Sequence, residues 1–159
     1  MAVEVRLTTH SEEETEAVAE TLGLRLSAPA LIALDGDLGA GKTCFVRGLA
    51  RGLGVKEPIS SPTYSLMAQY RGRVPFLHMD AWMEGRERAF LRDGGSELLV
   101  DAVCAVEWAE KVSDVLPAAR IEVRLRAVPG APEERLIELR SVGGDADLDH
   151  ALQELDRVG

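Results

Sequence analysis

The sequence predicts an α/β fold, a mixed β-sheet flanked by helices, and three observations carry that prediction. Short continuous apolar runs at residues 30–34 and 104–106 have the character of strands buried on both faces of a parallel sheet. Between them, Phe45, Val46, Leu49, Ala50 and Leu53 recur at helical spacing. Two pairs of extended segments flank short turn sequences, Arg71-Gly72-Arg73 and Pro129-Gly130-Ala131-Pro132, as β-hairpins do. Strands alternating with helices give a layered fold, and hairpins add antiparallel members to its sheet.

Taken in order, Val3, Val5 and Leu7 alternate with Glu4, Arg6 and Thr8, the period of a half-buried strand over residues 3–8. Ser11-Glu12-Glu13-Glu14 is a capping box and opens a helix to about residue 22, with Ala17, Val18, Thr21 and Leu22 on its buried face. The run 30–34 closes on Asp35-Gly36, and a helix follows from Lys42 until Gly54 ends it. Residues 64–70 and 74–80 form the first hairpin, and the charged stretch 84–92 reads as a surface helix. A buried strand is expected at 104–108, then a helix at 109–116 stopped by Pro117. Residues 121–128 and 136–142 form the second hairpin, and 145–158 an amphipathic C-terminal helix. No repeat, low-complexity tract or long linker interrupts the chain, so residues 1–159 are expected to be one domain.

With 159 residues, 46% hydrophobic and 28% charged, the chain is large enough to bury a core without staples. Cys44 and Cys104 sit in apolar surroundings, away from any CxxC or metal-ligand spacing, and read as buried thiols in a reducing compartment. The N-terminal segment lacks an apolar h-region, and no apolar run reaches membrane-spanning length, so a cytoplasmic protein is expected. A net charge of -9 with lysine only at 42, 56 and 111 argues against a naked nucleic-acid binder, which needs cations for phosphates.

The chemistry lies in Gly36-Asp37-Leu38-Gly39-Ala40-Gly41-Lys42-Thr43, a complete G-x-x-x-x-G-K-[ST] P-loop. Its glycines let the backbone approach an anion, and successive N–H groups point inward at the start of the following helix. Lys42 reaches the β- and γ-phosphates, and the Thr43 hydroxyl ligates Mg2+. A buried strand before the loop and an amphipathic helix after it supply the context that the motif requires. The chain contains no asparagine and so cannot offer the N-K-x-D segment of GTPases, which points to ATP. An acidic residue at a neighbouring strand end is needed to complete the Mg2+ shell. Asp80, closing residues 74–79, and Glu107, closing 104–106, are the candidates, each with the alternative of a solvent-facing acid at a strand end. His78 reads as a packed strand residue, and Trp82 and Trp108 as packing around the site.

The P-loop, Ser61-Pro62-Thr63-Tyr64, His78-Met79-Asp80 and Glu107-Trp108-Ala109-Glu110, in this order and spacing, resemble the TsaE family (formerly YjeE), ATPases of bacterial tRNA threonylcarbamoyladenosine biosynthesis. The resemblance runs from about residue 11 to residue 117. It implies a Mg2+-dependent ATPase that works in complex with TsaB and TsaD. The absence of an evident arginine finger or water-positioning glutamine adds an expectation of low intrinsic activity, and the net charge of -9 one of tRNA contact only through the complex. The resemblance further implies that Thr43 and Glu107 help hold the metal, that Asp80 joins them, and that Ser61-Pro62-Thr63 is a switch near the γ-phosphate. Lys42, Asp80 and Glu107 are the expected catalytic residues. Where the family continues its aspartate as D-x-Y-R, this chain has Asp80-Ala81-Trp82-Met83, leaving Arg86 and Arg88 as replacements for the arginine. Two other readings of the same loop stay open. One is a small-molecule kinase with Asp80 as base, and the other a nucleotide-gated binding module without turnover.

Overall fold

The computed structural model describes residues 2–60 and 66–158, with Ser96 and Val158 described by their backbone alone. Among these residues seven strands form one sheet: β1 (Glu4–Thr9), β2 (Ala30–Asp35), β3 (Met67–Arg71), β4 (Pro75–Asp80), β5 (Val103–Glu107), β6 (Arg120–Val128) and β7 (Ala131–Val142). Their spatial order is β1-β7-β6-β2-β5-β4-β3. The centre is parallel, β2 pairing with both β5 and β6 and β4 with β5, while β1, β7 and β3 join antiparallel. The α/β class and the mixed sheet therefore stand as the sequence predicts.

Among the described residues four helices accompany the sheet: α1 (Glu12–Arg25), α2 (Lys42–Gly52), α3 (Gly85–Arg92) and α4 (Ala146–Val158). One face of the sheet packs against α1, α2 and α4 through Leu22, Phe45, Leu49, Leu152 and the inward residues of six strands. The opposite face of β2, β4 and β5 packs against α3 and two 3-10 segments through Leu77, Met79, Leu91, Cys104, Val106 and Val112. Strand periodicity puts Glu4, Arg6, Glu122, Arg124, Arg126, Glu138 and Arg140 on the other side of β1, β7 and β6, which presents a charged surface instead of a second core.

Ser11 caps α1 by accepting from the Glu14 amide, and Glu14 in turn accepts from the His10 amide, so the capping box forms with a reach one residue longer than expected. The buried face of α1 agrees with expectation at Leu22 and partly at Val18 and Thr21, but Ala17 is exposed and Thr15, Ala19 and Gly23 are buried instead. Apolar residues stand all round this helix, so spacing alone did not single out a face; small residues do, because α1 and α2 pack backbone against backbone. A Cβ on Gly48 of α2 would lie 2.2 Å from the Glu16 carbonyl oxygen of α1. The expected helix after β5 is instead a 3-10 segment, Ala109–Val115, kinked at Val112. A second 3-10 segment, Gly95–Leu99, went unpredicted, and β7 begins at Ala131 rather than 136. The charged helix α3 buries Glu87 and Leu91, so it is only partly a surface helix. The switch segment Ser61-Pro62-Thr63-Tyr64 lies outside the described residues.

Candidate functional site

Parallel register levels three strand ends. Leu34 pairs with Glu107 across β2 and β5, and Asp80 pairs with Glu107 across β4 and β5. Alternation then sends Asp80 and Glu107 to the same side as Phe76, Val103 and Ala105, which is the face that carries α2. The fold thus brings the two predicted acids to the same end of the sheet as the loop between β2 and α2.

That loop is residues 36–41, and α2 starts at Lys42. Gly41 takes φ 106° and ψ 18°, a left-handed conformation that side chains disfavour, and turns the chain into the helix. No side chain caps α2 and no acid stands in its first turn, in contrast to α1 with Ser11 and three glutamates. The first N–H groups of a helix lack intrahelical acceptors, so the start of α2 offers donors and the positive end of a helix dipole. This is the backbone arrangement that takes up phosphate.

Lys42 is only 5% exposed. Its Nζ donates to the Gly36 and Asp37 carbonyl oxygens, the latter at 3.0 Å, and lies 3.8 Å from the centre of the Trp108 ring. Burial lowers its pKa below the ordinary value of 10.5, against the opposing pull of Glu107, Asp80, Asp35 and Asp37. Trp108 reaches that position in a left-handed conformation, φ 58° and ψ 37°, uncommon for a bulky residue. Its ring also packs on Trp82 at 4.6 Å, and Lys111 covers Trp82 from outside at 4.2 Å. Trp82 is half exposed, so of the two tryptophans only Trp108 packs inside the site.

Thr43 Oγ1 donates to Glu107, 3.2 Å from Oε1 and 3.3 Å from Oε2. Glu107 is buried, not solvent-facing, and its Oε2 also lies 2.6 Å from Nε2 of the fully buried His78. Asp80 is partly buried and accepts from the Trp82 amide at 2.9 Å. A hard divalent cation takes oxygen donors, and the Thr43 hydroxyl beside the Glu107 carboxylate is such a pair. Among the described residues no group of three or more His, Cys, Asp or Glu forms a metal cage, so a cation here would complete its shell with phosphate and water oxygens. Asp35 accepts from the Glu110 amide at 2.8 Å, which anchors the segment after β5, while the Glu110 side chain is exposed. Burial raises the Asp35 pKa above its usual range.

Sequence reasoning missed Arg135. From β7 its guanidinium donates to the Ala40 and Gly39 carbonyl oxygens at 3.0 and 3.2 Å, fastening the loop from the far hairpin. It also borders a cleft of about 490 Å³ with Ser11, Glu13, Gly41, Cys44 and Pro132. No local pattern announces a contact across 95 residues; only the β1-β7-β6 pairing does. The offered replacements for the absent arginine differ in fate. Arg88 is committed to Asp114 at 2.6 and 2.7 Å, whereas Arg86 pairs with Glu87 at 3.0 Å.

The sequence profile described as "Threonylcarbamoyl adenosine biosynthesis protein TsaE" matches residues 9–136. The chain belongs to the TsaE family. Among TsaE-family relatives, the tRNA threonylcarbamoyladenosine biosynthesis protein TsaE of Treponema pallidum is 37% identical, covering 82% of this chain and 97% of its own length. The protein of the same name from Bacillus subtilis is 32% identical over 94% of this chain and 92% of its own. The TsaE-family fold extends to the crystal structure of Bacillus subtilis YdiB, with a TM-score of 0.82 at 29% identity over 99% and 97% of the two chains. The match thus continues past residue 117, where the legible motifs end, because β6 and β7 keep the fold with few distinctive residues. Among the described residues no helix is long and apolar enough to cross a membrane.

Proposed function

We propose that this chain is a Mg2+-dependent ATP-binding and ATPase subunit required for threonylcarbamoyladenosine modification of tRNA, acting with TsaB and TsaD in the cytoplasm. The single observation that carries this reading is the contact of Thr43, first turn of α2, with Glu107 at the level end of β5, directly beside an uncapped helix start. A nucleotide-binding loop without chemistry needs the helix start and Lys42 alone; the buried acid on Thr43 is the arrangement of a metal-assisted phosphoryl transfer site.

In this reading the amides of residues 36–43 and the Lys42 ammonium take the phosphates, and Lys42 exchanges its carbonyl acceptors for phosphate oxygens. Thr43, Glu107 and Asp80 would hold the cation, directly or through water. When bound, Mg2+ would supply neutralisation of the phosphate charge. Arg135 keeps the loop curved before the nucleotide arrives, and the cleft it borders with Ser11 and Cys44 receives the base. Donors fixed in a water-poor pocket stabilise developing charge without reorganising, and most of the rate enhancement in such reactions comes from that. Arg88 turns away to Asp114 and is no arginine finger, which accords with slow turnover by the chain alone and completion of the site by its partners.

The test is phosphate release from Mg-ATP with and without TsaB and TsaD. Release should rise sharply with both partners and fall by about two orders of magnitude in Thr43→Ala and in Glu107→Ala. Release that ignores the partners and follows a small acceptor alcohol would replace this reading with a kinase, and nucleotide-dependent assembly without release would replace it with a gating module.

A further inference from the structure

His78 invites the plain interpretation of a packed strand residue, and its surroundings argue otherwise. It is fully buried between Phe76 and Asp80 on the α2 side of β4, where an aliphatic side chain would fill space without polar cost. Its Nε2 makes a 2.6 Å contact with Glu107 Oε2, while among the described residues its Nδ1 has no hydrogen-bond partner. An unpaired buried nitrogen carries a desolvation cost, so packing alone does not account for an imidazole here.

The geometry on Glu107 does account for it. The carboxylate is gripped from two directions: His78 donates to Oε2 from the neighbouring strand, and Thr43 Oγ1 donates from the start of α2, nearer Oε1. Without the imidazole, a buried carboxylate at a strand end would keep one neutral hydroxyl and be free to rotate about its last bonds. Partners that fix a metal ligand from behind govern how tightly the metal is held.

Resting on the reading of the site as one for Mg-nucleotide, we propose that His78 is a positioning residue, which clamps the Glu107 carboxylate in the orientation that accepts the divalent cation. His78 touches neither nucleotide nor metal; it acts through Glu107.

The test separates metal from nucleotide, using the full chain. Binding of a fluorescent ADP analogue is measured without divalent cation, and Mn2+ uptake by the nucleotide complex is followed by electron paramagnetic resonance. His78→Leu removes the donor, while His78→Gln keeps an N–H near the Nε2 position. Metal-free nucleotide binding should stay within about twofold in both variants, whereas Mn2+ affinity falls about tenfold or more in His78→Leu and returns to within about threefold of the parent in His78→Gln. In a Glu107→Ala background, His78→Leu should change Mn2+ affinity no further. Unchanged Mn2+ affinity in His78→Leu overturns the proposal. So does equal weakness of the two variants, or a parallel loss of metal-free nucleotide binding, each of which marks a role in packing only. If the unmutated chain takes up no nucleotide, the reading of the site fails and the proposal falls with it.

Discussion

Lys42 carries a positive charge where almost no solvent reaches it. Because folding lowers its pKa, the cost of holding that charge is fully present below the lowered value and fades as pH climbs from there toward 10.5, above which both folded and unfolded chains are neutral. The fold therefore carries a local cost at the residue proposed to meet the phosphates. Lys42→Met should abolish nucleotide binding yet raise the melting temperature of the nucleotide-free protein, by about 2–4 °C for each kcal/mol released. A calorimetric scan showing a lower melting temperature would mean that the carbonyl and Trp108 contacts outweigh the burial cost. Trp108 adds a second local strain, since a left-handed backbone at a non-glycine residue costs about 1–3 kcal/mol, offset by bringing an aromatic face under the ammonium. Cys44 and Cys104, by contrast, are quiet. Burial pushes their thiols up to about 11 and about 12, so both stay protonated and unreactive at neutral pH, as their apolar surroundings led us to expect.

At the scale of elements, the α1–α2 contact is the one most exposed to a small change. Gly48→Ala would set a methyl group 2.2 Å from the Glu16 carbonyl oxygen and 2.8 Å from the Ala19 Cβ. The helices must part, and we expect a loss of about 1–3 kcal/mol in urea unfolding, with the midpoint moving and the slope unchanged. Ordinary helix propensity predicts the reverse sign, since alanine outranks glycine inside a helix. The same contact marks the limit of what the sequence discloses. Strands β2 and β5 were legible because burial on both faces leaves an uninterrupted apolar run, and the P-loop because its spacing is rigid. The buried face of α1 was not, since glycine and alanine leave no mark on an apolar pattern. The helix after β5 was misjudged because its apolar spacing fits a helix equally well, while the backbone tightens to tie Glu110 to Asp35. Asp80 and Glu107 could be chosen from strand ends alone; that Glu107 meets Thr43 depended on a register no local pattern encodes. His78 was within reach, for it shares the parity of Asp80, and parity fixes the face.

At the scale of the molecule, charge is unevenly spread. The uncovered face of β1, β7 and β6 gathers arginines, and three of them are tied into cross-strand pairs, Arg6–Glu138, Arg126–Glu138 and Arg140–Glu122, at 3.7, 3.8 and 3.0 Å. Exposed pairs of this kind contribute about 0–1 kcal/mol each, and they leave no block of unopposed cations to grip phosphates. With a net charge of -9, the isolated chain should therefore show no measurable tRNA retention on filters at about 0.15 M ionic strength. Retention that falls steeply with added salt would place an RNA surface on this chain itself. The levelled ends of β2, β4 and β5 have a different kind of consequence. Since the acids owe their meeting to hydrogen-bond register, drift by single substitutions can weaken the site but cannot move it, whereas one residue gained or lost inside β4 or β5 would turn Asp80 or Glu107 to the opposite face. Over evolutionary time, such a lineage is free to vary the lengths of loops other than the one between β2 and α2, and is held to the lengths of its central strands.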